Sequence, residues 1–144
     1  MAQPPLLETL QLCQRAHRAV LASRLAPHGL HAGQDALLLA IWAQPGLRQV
    51  ALAERLEVEP PTVSRMIERL ERGGLVRRER DPHDARLWRV HPTTRSRLLE
   101  ASVRRIHADL DAAMESALGS GGRDQLRRLL GVATTALQAM EAVA

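Results

Sequence analysis

Residues 49–91 constrain this chain more than any other stretch: QVALAERLEVEPPTVSRMIERLERGGLVRRERDPHDARLWRVH. The spacing predicts a short helix over 49–56, with Val50, Ala53 and Leu56 inward. A second helix is expected over 61–72, with Val63, Met66, Ile67 and Leu70 on its buried face. Pro60 and Pro61 suit its first turn, because proline needs no amide donor there and is preset for a helical φ. Gly73-Gly74 supplies the left-handed stop. Two short strands follow, at 75–80 and 86–91, joined by Asp81-Pro82-His83-Asp84, which has turn chemistry. No other β structure is expected.

On either side the pattern is helical. Leu6, Leu10, Cys13, His17, Val20, Leu21 and Leu25 recur at three- and four-residue steps, predicting a helix over 5–25 that Pro27 and Gly29 end. A helix is expected over 32–43, before the Pro45-Gly46 turn. Thr93 can cap a fifth helix with Leu99, Val103, Ile106, Leu110, Met114 and Ala117 in its stripe. Gly119-Ser120-Gly121-Gly122 breaks it, and a sixth carries Leu126, Leu129, Leu130, Ala133, Leu137 and Met140. A helix of about 25 residues is roughly 37 Å long. A compact middle cannot cover that length, so the outer helices are expected to bury their stripes against a second copy of the chain.

Composition agrees with a mainly α fold. The chain has no Tyr or Phe and only two Trp, so its core rests on aliphatic residues that suit helix packing. All 20 basic residues are arginine, for a net charge of +4. Residues 60–105 hold twelve arginines against six acids, and the remainder holds eight against ten. A basic middle is the footprint of a polyanion-binding face, although a solvated, salt-bridged surface gives the same count. The order of helix, turn, helix and charged hairpin is what a winged helix-turn-helix needs: a helix to fill the major groove, one to brace it, and a loop to reach sideways. Pro61, Thr62, Ser64, Arg65 and Arg69 lie away from or at the edge of the predicted buried face, and Arg65 could fork onto a guanine. Free N–H groups at the helix start would suit a phosphate. An ordinary amphipathic surface helix would show the same pattern. The hairpin adds Arg77, Arg78, Arg80, Arg86 and Arg89 within 13 residues. Cross-strand repulsion disfavours such clustering unless phosphate is near. Asp84, two residues before Arg86, can aim its guanidinium into a minor groove, besides forming the turn. Arg80 and Arg89 face the backbone or solvent.

The segments TVSRMIERLERGGLV and DPHDARLWRV, in this helix order, make nearly the whole chain resemble the MarR family of bacterial transcription regulators. Asp84-x-Arg86 matches the family's Asp-x-Arg pattern. The resemblance implies a homodimeric repressor on an inverted-repeat operator, with the second reading helix in the major groove and Arg86 in the flanking minor groove. The expected division is a helical dimerisation region at 1–29 and 97–144 around a winged helix-turn-helix DNA-binding region at 30–96. The expected DNA-binding set is Pro61, Thr62, Ser64, Arg65, Arg69, Arg78, Asp84 and Arg86. Where the family often has Leu-Thr-x-x-Gly after the wing, this chain has Pro92-Thr93-Thr94-Arg95-Ser96, which should alter entry into the fifth helix.

Family members commonly release DNA on binding a small, often anionic aromatic molecule. By this analogy Cys13, His17 and Trp42 are the candidate effector-binding residues, against the plainer readings of His17 as a bonded residue at a dimer seam and Trp42 as core. Cys13, the only cysteine, reads as a buried structural thiol, with redox sensing as the weaker alternative. His83, His91 and His107 are scattered, so no metal or other cofactor is expected. An enzyme is not expected, because no nucleophile–base pair or Gly-rich phosphate loop appears. A helical dimeric protein-interaction module, or a DNA-binding protein that answers to no ligand, is the alternative. The start MAQPPLLETLQ lacks a secretory pattern, and the apolar run 36–43 is too short to span a bilayer, so a cytoplasmic protein with no membrane partner is expected.

Overall fold

The computed structural model describes residues 4–143. The chain divides into two compact units, residues 1–106 and 107–144. In the first, α1 (Leu6–Leu25) leads through a 3-10 turn (Ala26–His28) to α2 (Gln34–Ala43). Then come β1 (Leu47–Arg48), α3 (Gln49–Leu56), α4 (Pro60–Arg72), β2 (Val76–Arg80) and β3 (Trp88–Pro92), and α5 (Thr94–Glu141) starts in this unit.

The helix-turn-helix is closed by its backbone. Glu57 takes φ 52°, and the Val58 N–H donates to the Ala53 carbonyl at 3.0 Å, which stops α3. At the end of α4, Gly74 takes φ 72° and the Leu75 N–H donates to the Leu70 carbonyl at 2.9 Å. A side chain at such a left-handed position is strained, so glycine fits. Val63, Ile67 and Leu70 of α4 are buried with Leu37, Leu38 and Ile41 of α2 and Val90 of β3. Met66, expected inward, is only half-buried.

Three further expectations fail in this unit. The sheet has three antiparallel strands in the order β1-β3-β2, because the two-residue β1 pairs Leu47 with Val90 and Arg48 with Arg89. Two residues carry no readable alternation, so this strand is invisible in sequence. Val50 is half exposed, and Leu52 takes its place in the core. In so short a helix, one step of phase changes which residues point inward. α2 begins at Gln34, after Gly33 at φ 100°, rather than at residue 32.

α5 enters through a side-chain cap. Thr93 Oγ1 accepts the Ser96 N–H at 3.2 Å and donates to the Gly74 carbonyl at 2.7 Å. Ser96 is buried, and its hydroxyl accepts the Trp42 indole N–H at 3.2 Å. The departure at Pro92–Ser96 therefore produces an entry to α5 that is bonded to α2.

In the second unit, the expected break falls on Gly119 alone (φ 74°, ψ 164°), while Ser120, Gly121 and Gly122 remain helical. Arg123 spans the break, reaching Glu115 at 2.9 Å and Asp111 at 3.5 Å. Met114, Leu129, Leu130, Leu137 and Met140 of the predicted stripes are exposed in the single chain. On α1, likewise, Leu6, Leu10 and Val20 are exposed, and only Leu21 and Leu25 are buried. Among the described residues no helix is long and apolar enough to cross a membrane.

Candidate nucleic-acid interface

The site is built on α4 and the β2–β3 hairpin. α4 separates its residues sharply: Pro61, Arg65 and Arg69 are exposed, and Thr62 and Ser64 are half-buried at the edge. The Arg65 guanidinium lies 3.5 Å from Thr62 Oγ1. Neither Arg65 nor Arg69 forms an ion pair among the described residues, so most of their donors are left for an acceptor outside the chain.

The start of α4 is not the phosphate site the sequence suggests. Pro60 and Pro61 have no N–H, and the N–H groups of Thr62 and Val63 both donate to the Glu59 carbonyl, at 2.9 and 3.1 Å. The first turn closes on itself and leaves only the weaker field of the helix dipole.

In the wing, Arg86 is offered outward with its geometry fixed. Arg86 has 89 % of its side chain exposed. Its Nε and Nη2 donate to the two carboxylate oxygens of Asp84, each at 3.0 Å, and its backbone N–H donates to Asp84 Oδ1 at 3.1 Å. A two-point fork of this kind sets the plane of the guanidinium as well as its position. The contact holds the Asp84 carboxyl below its ordinary range and raises the Arg86 guanidinium above its own.

The other wing arginines are engaged within the hairpin, although Arg77 and Arg80 stay exposed. Arg78 is 21 % exposed, donates to Glu71 at 2.8 Å and lies 5.1 Å from the centre of the Trp88 ring. Arg80 stacks on that ring at 3.7 Å and donates to the Ala85 carbonyl. Arg77 pairs with Glu79. The strand register sets Glu79 opposite Arg89, Arg78 opposite Val90 and Arg80 opposite Trp88. Between β2 and β3 no two arginines face each other, and the facing pair Arg48 and Arg89 of β1 and β3 shares the Asp81 carboxylate, so the cluster does not itself require phosphate. Much of it braces the hairpin.

Asp81, which the sequence presents only as a turn residue, is the centre of that bracing. Its side chain is fully buried. Oδ1 accepts the N–H groups of His83 (2.8 Å) and Asp84 (3.2 Å), and Oδ2 accepts Nε of Arg48 (3.0 Å) and of Arg89 (2.8 Å). Arg89 also donates to the Gly46 carbonyl at 2.8 Å. The His83 N–H first, then Arg48, the Asp84 N–H and Arg89, hold the Asp81 carboxyl far below the usual range against the cost of burial. A buried carboxylate needs this many donors. The signal in sequence was the excess of basic residues within reach of an acid at a turn. The partner Arg48, 33 residues away, was not legible.

Arg86 and Arg48 line a cleft of about 210 Å³ with Gln49, Val50, Pro60, Leu87 and Trp88. The presented wing arginine and the start of α4 thus border one concavity. The candidate effector residues are placed differently. Trp42 is buried and bonded to Ser96, whereas Cys13 and His17 are exposed on α1. The expectation of a buried Cys13 fails for the single chain, because most of the α1 stripe is not covered by the chain's own core. Among the described residues no group of three or more His, Cys, Asp or Glu gathers to hold a metal.

The MarR family model matches residues 30–87, which contain α2, α3, α4 and the wing through Arg86. The transcriptional regulator HosA of Escherichia coli O111:H- is 47 % identical over 53 residues, covering 37 % of this chain and 39 % of that protein. The HTH-type transcriptional regulator TtmR of Methylorubrum extorquens (strain PA1) is 33 % identical over 99 residues, covering 65 % of this chain and 51 % of that one. The chain thus spans about half the length, or less, of these curated relatives. Among solved structures, the transcriptional repressor CouR bound to a 23-mer DNA duplex superposes with a TM-score of 0.83 at 27 % identity, covering 90 % of this chain and 92 % of that one.

Proposed function

We propose that this chain, whose residues 30–87 match the MarR family model, is a MarR-family, sequence-specific DNA-binding transcription regulator that represses as a homodimer on an inverted-repeat operator. The observation that carries this reading is Arg86, exposed to solvent yet locked by both oxygens of Asp84 beside the start of α4. Ordering an exposed arginine costs side-chain entropy, which an external acceptor such as a phosphate or groove edge can offset. In this reading α4 enters the major groove with Thr62, Ser64, Arg65 and Arg69, and Arg86 enters the flanking minor groove. Arg78, tied to Glu71, serves the wing rather than the duplex.

Residues 30–96 are then the reading region, and residues 1–29 and 97–144 join two copies. Support for the second copy lies in the exposed apolar residues of α1 and of the helical segment after Gly119. If a small anionic aromatic molecule releases the DNA, Cys13 and His17 can line its pocket only once a partner covers α1, and Trp42 serves the core.

The test is gel retardation of the DNA upstream of the chain's own gene, with excess competitor DNA and a salt titration. The expected result is a retarded complex of two chains per site that survives competitor and weakens linearly in log–log against salt. Equal displacement by any DNA, or a monomer in the complex, would contradict it.

A further inference from the structure

Asp81 stands at the base of a relay that ends on Arg86. Its Oδ1 fixes the Asp84 backbone N–H, and the Asp84 side chain in turn forks onto Arg86. Its Oδ2 holds Arg48, the residue just before α3, and Arg89 on β3, which also reaches Gly46. One buried carboxylate therefore ties the wing tip, the wing strand and the entrance of the helix-turn-helix. The loop from 81 to 87 is closed at the same point: the Asp81 N–H donates to Leu87, and the Leu87 N–H to Asp84.

We infer that Asp81 is a positioning residue that sets where the Arg86 guanidinium stands relative to α4, and so decides whether the wing and the reading helix can engage neighbouring grooves together. The inference rests on the proposed DNA reading. Asp81 touches no DNA in it and acts only through Arg86. The carboxylate form is required because two oxygens must accept four N–H groups. An amide keeps one acceptor oxygen and turns an NH2 toward either the backbone donors or the arginines. Asp81→Asn should therefore loosen the Asp84–Arg86 fork and leave the α4 surface unchanged.

A double-mutant cycle tests this on the full chain with its operator duplex. Arg86→Ala is expected to weaken binding about tenfold. Asp81→Asn should weaken it by a similar factor when Arg86 is present, and by less than about twofold in the Arg86→Ala background. Hydroxyl-radical footprints should lose flanking protection in Asp81→Asn while the central major-groove protection persists, a split that general loss of fold would not give. Losses that multiply in the cycle, or an Asp81→Asn variant that binds like the parent, would overturn the inference. Should Asp81→Asn fail to fold, Arg48→Met removes one partner of the same carboxylate and must show the same dependence on Arg86; a loss independent of Arg86 overturns the inference equally. If the parent chain shows no specific binding, or Arg86→Ala alone has no effect, the DNA reading of the wing falls first and takes the relay with it.

Discussion

On α4, Arg65 and Arg69 stand exposed and without ion pairs among the described residues, whereas in the hairpin Arg78 is pinned by Glu71 and Arg89 by Asp81. The two regions have similar arginine content and use it differently. The helix needs no charge to hold its shape, because Val63, Ile67 and Leu70 anchor it from below. A five-residue strand pair has little apolar surface, so the wing is held by guanidinium–carboxylate and guanidinium–ring contacts instead. Arg86 shares that pattern through Asp84 but stays 89 % exposed. Charge count alone therefore overstates the number of arginines the wing can offer to a polyanion.

The comparison can be broken first on its stability side. Ile67→Ala, under α4, should cost about 2–5 kcal/mol of folding stability in urea denaturation. Arg65→Ala should cost under about 0.5 kcal/mol, as expected for a surface substitution. The reverse order would mean that α4 is not anchored as described. On the binding side, Arg65→Ala should lose roughly 1–3 kcal/mol of operator affinity and relax base preference at one position, read by competition among operator variants.

The salt dependence sharpens the distinction. Arg69→Ala should lower the log–log slope by about one, and Arg78→Ala should leave it unchanged, because Glu71 already neutralises that arginine. Equal slopes for the two variants would erase the contrast between helix and wing.

The smallest effect is on pH. The folded pKa values of Asp81 and Asp84 are depressed, so their stabilisation is present above the unfolded carboxylate value near about 4 and is lost only as the pH falls below it. The wing should be insensitive to these groups between about pH 5 and 8. His91 behaves differently. Burial first, then Arg77 and Arg89, lower its pKa and outweigh Glu79, whose Oε2 lies 3.2 Å from Nε2, so the unfolded chain takes up a proton more readily than the folded one. Stability from this group is present above the unfolded value of about 6.5 and is lost as the pH falls through it. The urea midpoint should drop slightly from pH 7 to pH 5, and His91→Asn should flatten that change.

Much of this organisation was legible in the sequence. Prolines at the start, glycines at the end and a four-residue apolar face specify α4, and Asp84-x-Arg86 is a local pair whose geometry follows from its spacing. What escaped was short or distant. β1 has two residues and exists because Val90 offers it a partner 43 positions away. Asp81 looked like a turn residue because its arginine partners at 48 and 89 come together only in the folded sheet. The lost phosphate site at α4 was decided by the Glu59 carbonyl, a backbone acceptor that residue types do not announce. Cys13 was misplaced because its helix carries an apolar stripe that the single chain leaves largely uncovered.

A hydroxyl-radical footprint of the intact protein on the intergenic DNA upstream of its gene, with the parent chain and Arg86→Ala side by side, addresses the central claim most directly. Two protected half-sites about one helical turn apart are predicted, with minor-groove protection at the outer flanks that disappears in the Arg86→Ala variant. A footprint with no such symmetry, or flanks protected equally in both proteins, would contradict the account.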